Sequence, residues 1–183
     1  ILLLIPPVAQ GADVFPLWTP KSPVPSTEAM KKLKRTRFHI IQDRVPERDG
    51  YNWLHGVALA FHKSQLYSSF GHNTGSENTA GEEANGRISL DLGKSWLPRF
   101  QMDHGSEPTL AVSHGVFLSE GNRLWAFHGA FYRNMEGIHT RAYLLDDVSG
   151  EWEKKGSIIE EGFWPMQEPQ ELDNGHWIMA GLK

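Results

Sequence analysis

The sequence predicts an all-β chain built from repeated four-stranded units, part of a β-propeller. The first observation behind this is a recurring segment. His55-Gly56-Val57-Ala58-Leu59 is echoed 59 residues later by His114-Gly115-Val116-Phe117-Leu118. The second is that the echo continues along each copy. Leu66-Tyr67 answers to Leu124-Trp125, Arg87-Ile88-Ser89 to Arg141-Ala142-Tyr143, and Gly93-Lys94-Ser95-Trp96 to Gly150-Glu151-Trp152. The third is the internal pattern of short apolar runs parted by turns, four strands in about 55–60 residues, which is the content of one propeller blade. Self-similarity at a fixed period is the signature of such repeat architectures.

In chain order, residues 1–11 open with the apolar run 1–9, which is too short to span a bilayer. Ala9 and Gly11 place small residues at −3 and −1, so this stretch reads as the remnant of a secretory signal peptide. Residues 12–39 form an N-terminal arm in which Ser26-Thr27-Glu28 precedes the basic run Lys31 to Arg37, the pattern of a short capped helix with a solvated face. Residues 40–183 hold the repeats: two blades, then the opening hairpin of a third from Glu168-Pro169-Gln170-Glu171-Leu172 through Gly175 to Trp177-Ile178-Met179. A blade cannot bury both faces alone, so a propeller closes its ring. A six-bladed ring at this repeat length needs roughly twice the residues present. The chain is therefore expected to cover about two and a half blades of a larger, secreted or periplasmic protein.

Composition narrows the function. The 183 residues carry a formal net charge of −4 with both signs interspersed, which argues against nucleic acid as a partner. Cysteine is absent, so disulfides, thiolate nucleophiles and cysteine metal sites are excluded. Seven tryptophans serve either as packing between blades or as sugar platforms. Trp96 and Trp152 close repeat units and read as packing, whereas Trp53 and Trp164 precede inner strands and read as ligand surface.

Ser89-Leu90-Asp91-Leu92-Gly93-Lys94-Ser95-Trp96 fits Ser-x-Asp-x-Gly-x-Ser/Thr-Trp and resembles the Asp-box of the sialidase superfamily of β-propellers. In such a turn Asp91 accepts from backbone N–H groups, Gly93 takes positive φ, and Trp96 drops between sheets. The resemblance implies a sialidase-type propeller and places Ser89, Asp91, Gly93 and Trp96 on the face away from an active site, as structural residues. It implies an exo-acting glycoside hydrolase on a terminal, acidic sugar, with a glycan as partner and no cofactor.

The other face, the mouth of the channel, is expected to be built by the strand 2–3 loops, 71–87 and 132–141, and by the starts of the inner strands. His55, His114 and Glu168 occupy the same repeat position there. Sialidase-like enzymes pair an acid/base carboxylate in the first blade with a tyrosine nucleophile activated by Glu, and clamp the substrate carboxylate with three arginines. By that resemblance Glu82 or Glu83 is the acid/base, Glu77 is a third candidate, and Glu168 is the supporting carboxylate. Adjacent carboxylates repel, so one of the Glu82/Glu83 pair is expected to hold a proton near neutrality. His72, His128, Tyr132 and Arg133 complete the expected lining, and Arg87 and Arg141 can bind a carboxylate or sulfate bidentately.

Two alternatives stand beside this. A polysaccharide lyase on uronic-acid glycans would draw base and acid from His72, His114, His128 and Tyr132, with Arg133 or Arg141 neutralising the uronate. A non-catalytic carbohydrate-binding propeller would need only Trp53, Trp164 and Tyr132 as stacking platforms. His55, His114 and Glu168 have ligand types that suit zinc, but they lack tight local spacing, and no metal is assigned.

Overall fold

Two four-stranded antiparallel sheets, each a propeller blade, dominate the computed structural model, which describes residues 23, 26–30 and 34–183. The expected signal-peptide remnant at 1–11 and Lys31, Lys32 and Leu33 of the basic run lie outside the described residues. The chain divides into two compact units, residues 1–38 and 39–183. In the first, Ser26 closes one turn: its carbonyl accepts from Ala29 and Met30 N–H, and its Oγ from Ala29 N–H.

The second unit opens with α1 (Pro46–Asp49), a single turn started by proline and stopped by Gly50 at φ 77. Blade 1 is β1 (Trp53–His62), β2 (Gln65–Asn73), β3 (Glu82–Ser89) and β4 (Phe100–Asp103), in the order β1-β2-β3-β4. Blade 2 repeats the plan with β5 (Leu110–Glu120), β6 (Arg123–Tyr132), β7 (Glu136–Leu145) and β8 (Trp152–Ile159). The third copy begins as a hairpin. β9 (Trp164–Pro165) pairs with β12 (Gly181–Leu182), and β10 (Gln170–Glu171) with β11 (Trp177–Ile178).

Strand periodicity explains the packing. Along β1 the alternation turns Ala58, Ala60 and His62 inward, while Val57, Leu59 and Phe61 are exposed. Ala58 and Ala60 let the inner strands approach. A core of Tyr67, Ala84, Met102, Leu110, Val112, Phe117, Leu124, Tyr143 and Leu145 fills the space between the blades, with Trp152 packed against it. Each large side chain so buried contributes about 1.5–3 kcal/mol.

Each inner strand breaks register at its mouth end. The shift lies between His55 and Ala58 in β1 and between Val112 and Gly115 in β5, and residues 166–169 interrupt the third hairpin. Bulges of this kind re-aim side chains and gather beside active sites. His55 and His114 thus sit inside their strands, two and four residues past the first, not at the strand starts as the repeat alignment suggested. The expected loops are also shorter. The β2–β3 connection is 74–81, and β6–β7 is the tight turn 133–135.

Candidate active site

Glu82 and Glu83 are successive residues of β3, so the pleat sends them to opposite faces of blade 1. The expected pair of carboxylates side by side on one surface therefore does not form, and each has its own partners. Glu82 turns toward blade 2 with a fully buried side chain. Ser113 Oγ donates to its Oε1, and Asn78 N–H donates to Oε2 at 3.2 Å. Glu83 turns to the opposite face, where Tyr51 and Gln101 donate to its two oxygens and Arg99 lies 3.7 Å away.

The bulges bring two histidines onto Glu82. His55 Nε2 lies 3.7 Å from Glu82 Oε1, and its Nδ1 lies 3.0 Å from Glu77 Oε1. Its ring meets that of His114 edge-on, with centroids 4.3 Å apart. Ser113 Oγ is 3.1 Å from His114 Nδ1, so one hydroxyl serves both Glu82 and His114. Burial, with the neighbouring His55 and His128, pushes the His114 pKa down to about 4, so the ring is neutral at pH 7. His128 stands behind, fully buried, with Nδ1 2.6 Å from the Ser113 carbonyl. Desolvation holds its pKa down to about 4 as well.

Glycine makes this approach possible. Gly56 has φ +62, and a Cβ there would lie 2.1 Å from His114 Cγ. A cavity of about 320 Å³ borders His55 and Gly56. The side chains of His55 and Glu77 are 28% and 39% exposed, so they are the parts of the cluster a ligand can reach.

The remaining expected residues are placed elsewhere. His72 is buried on the Glu83 face, stacked on Tyr51 at 3.5 Å with Arg99 Nη1 3.2 Å from its Nδ1. Burial and the Arg99 charge take its pKa down to about 4. Arg87 donates to the carbonyls of Ile41, Trp96 and Leu97, so its guanidinium is committed to the scaffold and not free to clamp an anion. Arg141 lies against buried Asp103, its Nε 3.7 Å from Oδ2. Arg133 pairs with Glu136 at 2.9 Å on the exposed β6–β7 turn, and Tyr132 stacks on His139. Trp164 is 6% exposed; it covers Gly129, where a Cβ would meet its ring at 2.3 Å, and packs on Phe131 and His114. It is packing, not the sugar platform expected. Trp53, 38% exposed, remains open to ligand, and Glu168 is exposed on the interrupted third hairpin.

The Ser89–Trp96 turn joins β3 to β4 at the opposite end of the blade. Ser95 N–H and Oγ donate to the two Asp91 oxygens at 2.8 and 2.7 Å, and Ser89 Oγ donates to Oδ1 at 2.8 Å. Hydrogen bonds from the Ser95 side chain and main chain, then from Ser89, bring the Asp91 pKa down to about 2. Leu92 and Gly93 take φ 60 and 82. Asp91 is a turn builder.

Sequence reasoning missed Ser113, Tyr51 and Arg99. Ser113 carried one signal, its place beside His114 in the repeated segment. Tyr51 and Arg99 carried none, because their partners come from strands far along the chain.

The fold defines the chain as a run of β-propeller blades. A Hadza microbial sialidase superposes with a TM-score of 0.52 at 12% identity, over 69% of this chain and 31% of that one. An exo-inulinase from Aspergillus awamori gives 0.54 at 14% identity, over 79% of this chain and 34% of that one. Both are β-propeller glycoside hydrolases. The chain spans about a third of the length of either. No protein-family model and no curated protein matches the sequence.

Proposed function

We propose that the chain belongs to a secreted or periplasmic glycoside hydrolase that removes terminal, acidic sugars from glycans, with its chemistry at the His55 cluster. The observation that carries this reading is His55 held between two carboxylates, Glu77 at 3.0 Å and Glu82 at 3.7 Å, beside a cavity. Glu77 is the reachable carboxylate, suited to protonating a glycosidic oxygen, and His55 on its oxygen is the group with which it exchanges that proton. Glu82, with no exposed side-chain surface, cannot touch a sugar; its carboxylate orients His55. Glycoside hydrolases among the structural neighbours support the class. No helix among the described residues is long and apolar enough to cross a membrane.

One observation favours a second reading. His114 is neutral and partly exposed, as the base of a uronate lyase must be. The test incubates the full-length protein with sialosides and with uronate polysaccharides, following reducing sugar and unsaturated-uronate absorbance together. Released sugar without unsaturation supports the hydrolase, and unsaturated product replaces it with the lyase. Glycan binding with neither product rejects both.

A further inference from the structure

We propose that His55, Glu82 and His114 form a binding site for a divalent cation of the zinc class, with one coordination position open at the mouth. The ligand atoms these residues offer all lie within 4.8 Å of one another. The 3.7 Å between His55 Nε2 and Glu82 Oε1 is too long for a hydrogen bond. It is close to the about 3.4 Å that separates two ligands on a tetrahedral ion with bonds of about 2.1 Å. His55 Nε2 is buried and has no hydrogen-bond partner. A buried ring nitrogen aimed at a carboxylate it does not bond is a costly arrangement without an ion between them.

The surrounding contacts are those a metal site needs. Glu77 takes His55 Nδ1 at 3.0 Å, which fixes the tautomer that leaves a lone pair on Nε2. Ser113 Oγ lies 3.1 Å from His114 Nδ1, leaving Nε2 of that ring for an ion. Ser113 and Asn78 hold the two Glu82 oxygens in place. Among the described residues no lysine or arginine pairs with Glu82, although its side chain is fully buried. An uncompensated buried carboxylate is unfavourable, and a divalent cation supplies the missing positive charge.

Space is kept by omission. A Cβ on Gly71 would stand 2.9 Å from both Glu82 Oε1 and Ser113 Oγ, and one on Gly56 would run into the His114 ring. Two histidines and one carboxylate with a free position is the ligand set of catalytic, not structural, zinc. The free position would take a water or a sugar oxygen. Cation binding stands apart from the hydrolase reading, since an ion can bind whether or not a sugar is cleaved.

The test is calorimetric titration of the metal-free full-length protein with Zn²⁺, with Co²⁺ absorption spectra to read the coordination. One equivalent should bind, with the spectrum of a four- or five-coordinate site. Glu82→Gln and His114→Gln should abolish that equivalent, and Glu77→Gln should weaken it about 10- to 100-fold. His62→Gln is the control. His62 lies at the same blade interface, 2.8 Å from Ser119 Oγ, and its loss should leave the equivalent intact. Circular dichroism confirms that each variant is folded, and the half-exposed Glu77 supplies a readout if Glu82→Gln is not. Absence of stoichiometric Zn²⁺ binding, or binding unchanged in Glu82→Gln and His114→Gln, overturns the site. Sugar release that persists in chelator overturns the site's part in catalysis and keeps the hydrolase. Zinc bound without cleavage of any glycan does the reverse.

Discussion

Two carboxylates are buried at the interface of the first two blades, and they are treated in opposite ways. Asp103 closes β4 and is matched by charge. Lys154 Nζ reaches its Oδ1 at 2.7 Å, Tyr143 OH donates to Oδ2 at 2.8 Å, Gly105 N–H donates at 3.0 Å, and Arg141 stands 3.7 Å away. Burial opposes its ionisation, but the hydrogen bonds from Lys154 and Tyr143 and the Lys154 charge outweigh it, and the carboxyl is held below its usual range. Glu82 is equally buried, yet among the described residues it meets only a hydroxyl, an amide and two histidines. One carboxylate is a staple between blades. The other is left electrostatically unfinished, and buried groups of that kind concentrate at functional sites.

The comparison can be broken experimentally, and the largest expected effect is on turnover. His55→Gln should lower cleavage by the full-length protein about 10²- to 10⁴-fold, the range of a lost acid/base partner, while leaving the unfolding midpoint near wild type. Steady-state rates beside a urea titration check both halves. Asp103→Asn should do the converse, removing about 3 kcal/mol of stability because Lys154 and Arg141 lose their shared anion, with activity per folded molecule retained. A stable Asp103→Asn protein that has lost turnover would reverse the two assignments.

Glu82→Gln sharpens the contrast. The amide oxygen can still accept from Ser113, so unfolding free energy should change by no more than about 1 kcal/mol, and activity should fall as in His55→Gln. Equal stability losses at Glu82 and Asp103 would erase the distinction.

A pH profile tests the histidines around the same interface. His72, His114 and His128 have folded-state pKa values lowered to about 4 from an ordinary value near 6.5. Between those values the unfolded chain binds protons that the folded chain does not, so stability rises with pH across that window. It is fully present above about pH 6.5 and lost progressively toward pH 4. Urea unfolding at several pH values should show this slope, and His128→Asn should make it shallower. Smallest of all, Asp91→Ala should lower the thermal midpoint by less than Asp103→Asn and leave cleavage unchanged, as befits a turn at the far end of the blade.

Much of this architecture was legible beforehand because it is written in short-range pattern. The repeat of His55–Leu59 at His114–Leu118, the apolar alternation and the Ser89–Trp96 turn each depend on residues within a few positions of one another. They carried the four-stranded unit, its recurrence along the chain and the hydrogen-bonded turn at Asp91. The same local logic paired Glu82 with Glu83 because they are adjacent, whereas strand alternation separates them by the thickness of the sheet. It also read Trp164 and Arg87 from residue type alone, without the Gly129 surface that buries one or the carbonyls of Ile41, Trp96 and Leu97 that occupy the other.

By itself, then, the sequence determined a chain of four-stranded units, where they start and turn, and which residue types gather at one end. Repeat period, turn chemistry and side-chain alternation are local properties, set by residues close together along the chain. Only the tertiary structure decided that His55, Glu82 and His114, from β1, β3 and β5, share one space. That meeting depends on two β-bulges, on the glycines that let blades 1 and 2 close together, and on the choice of which face of β3 turns inward. All three are set by packing between sheets, which acts between residues far apart along the chain.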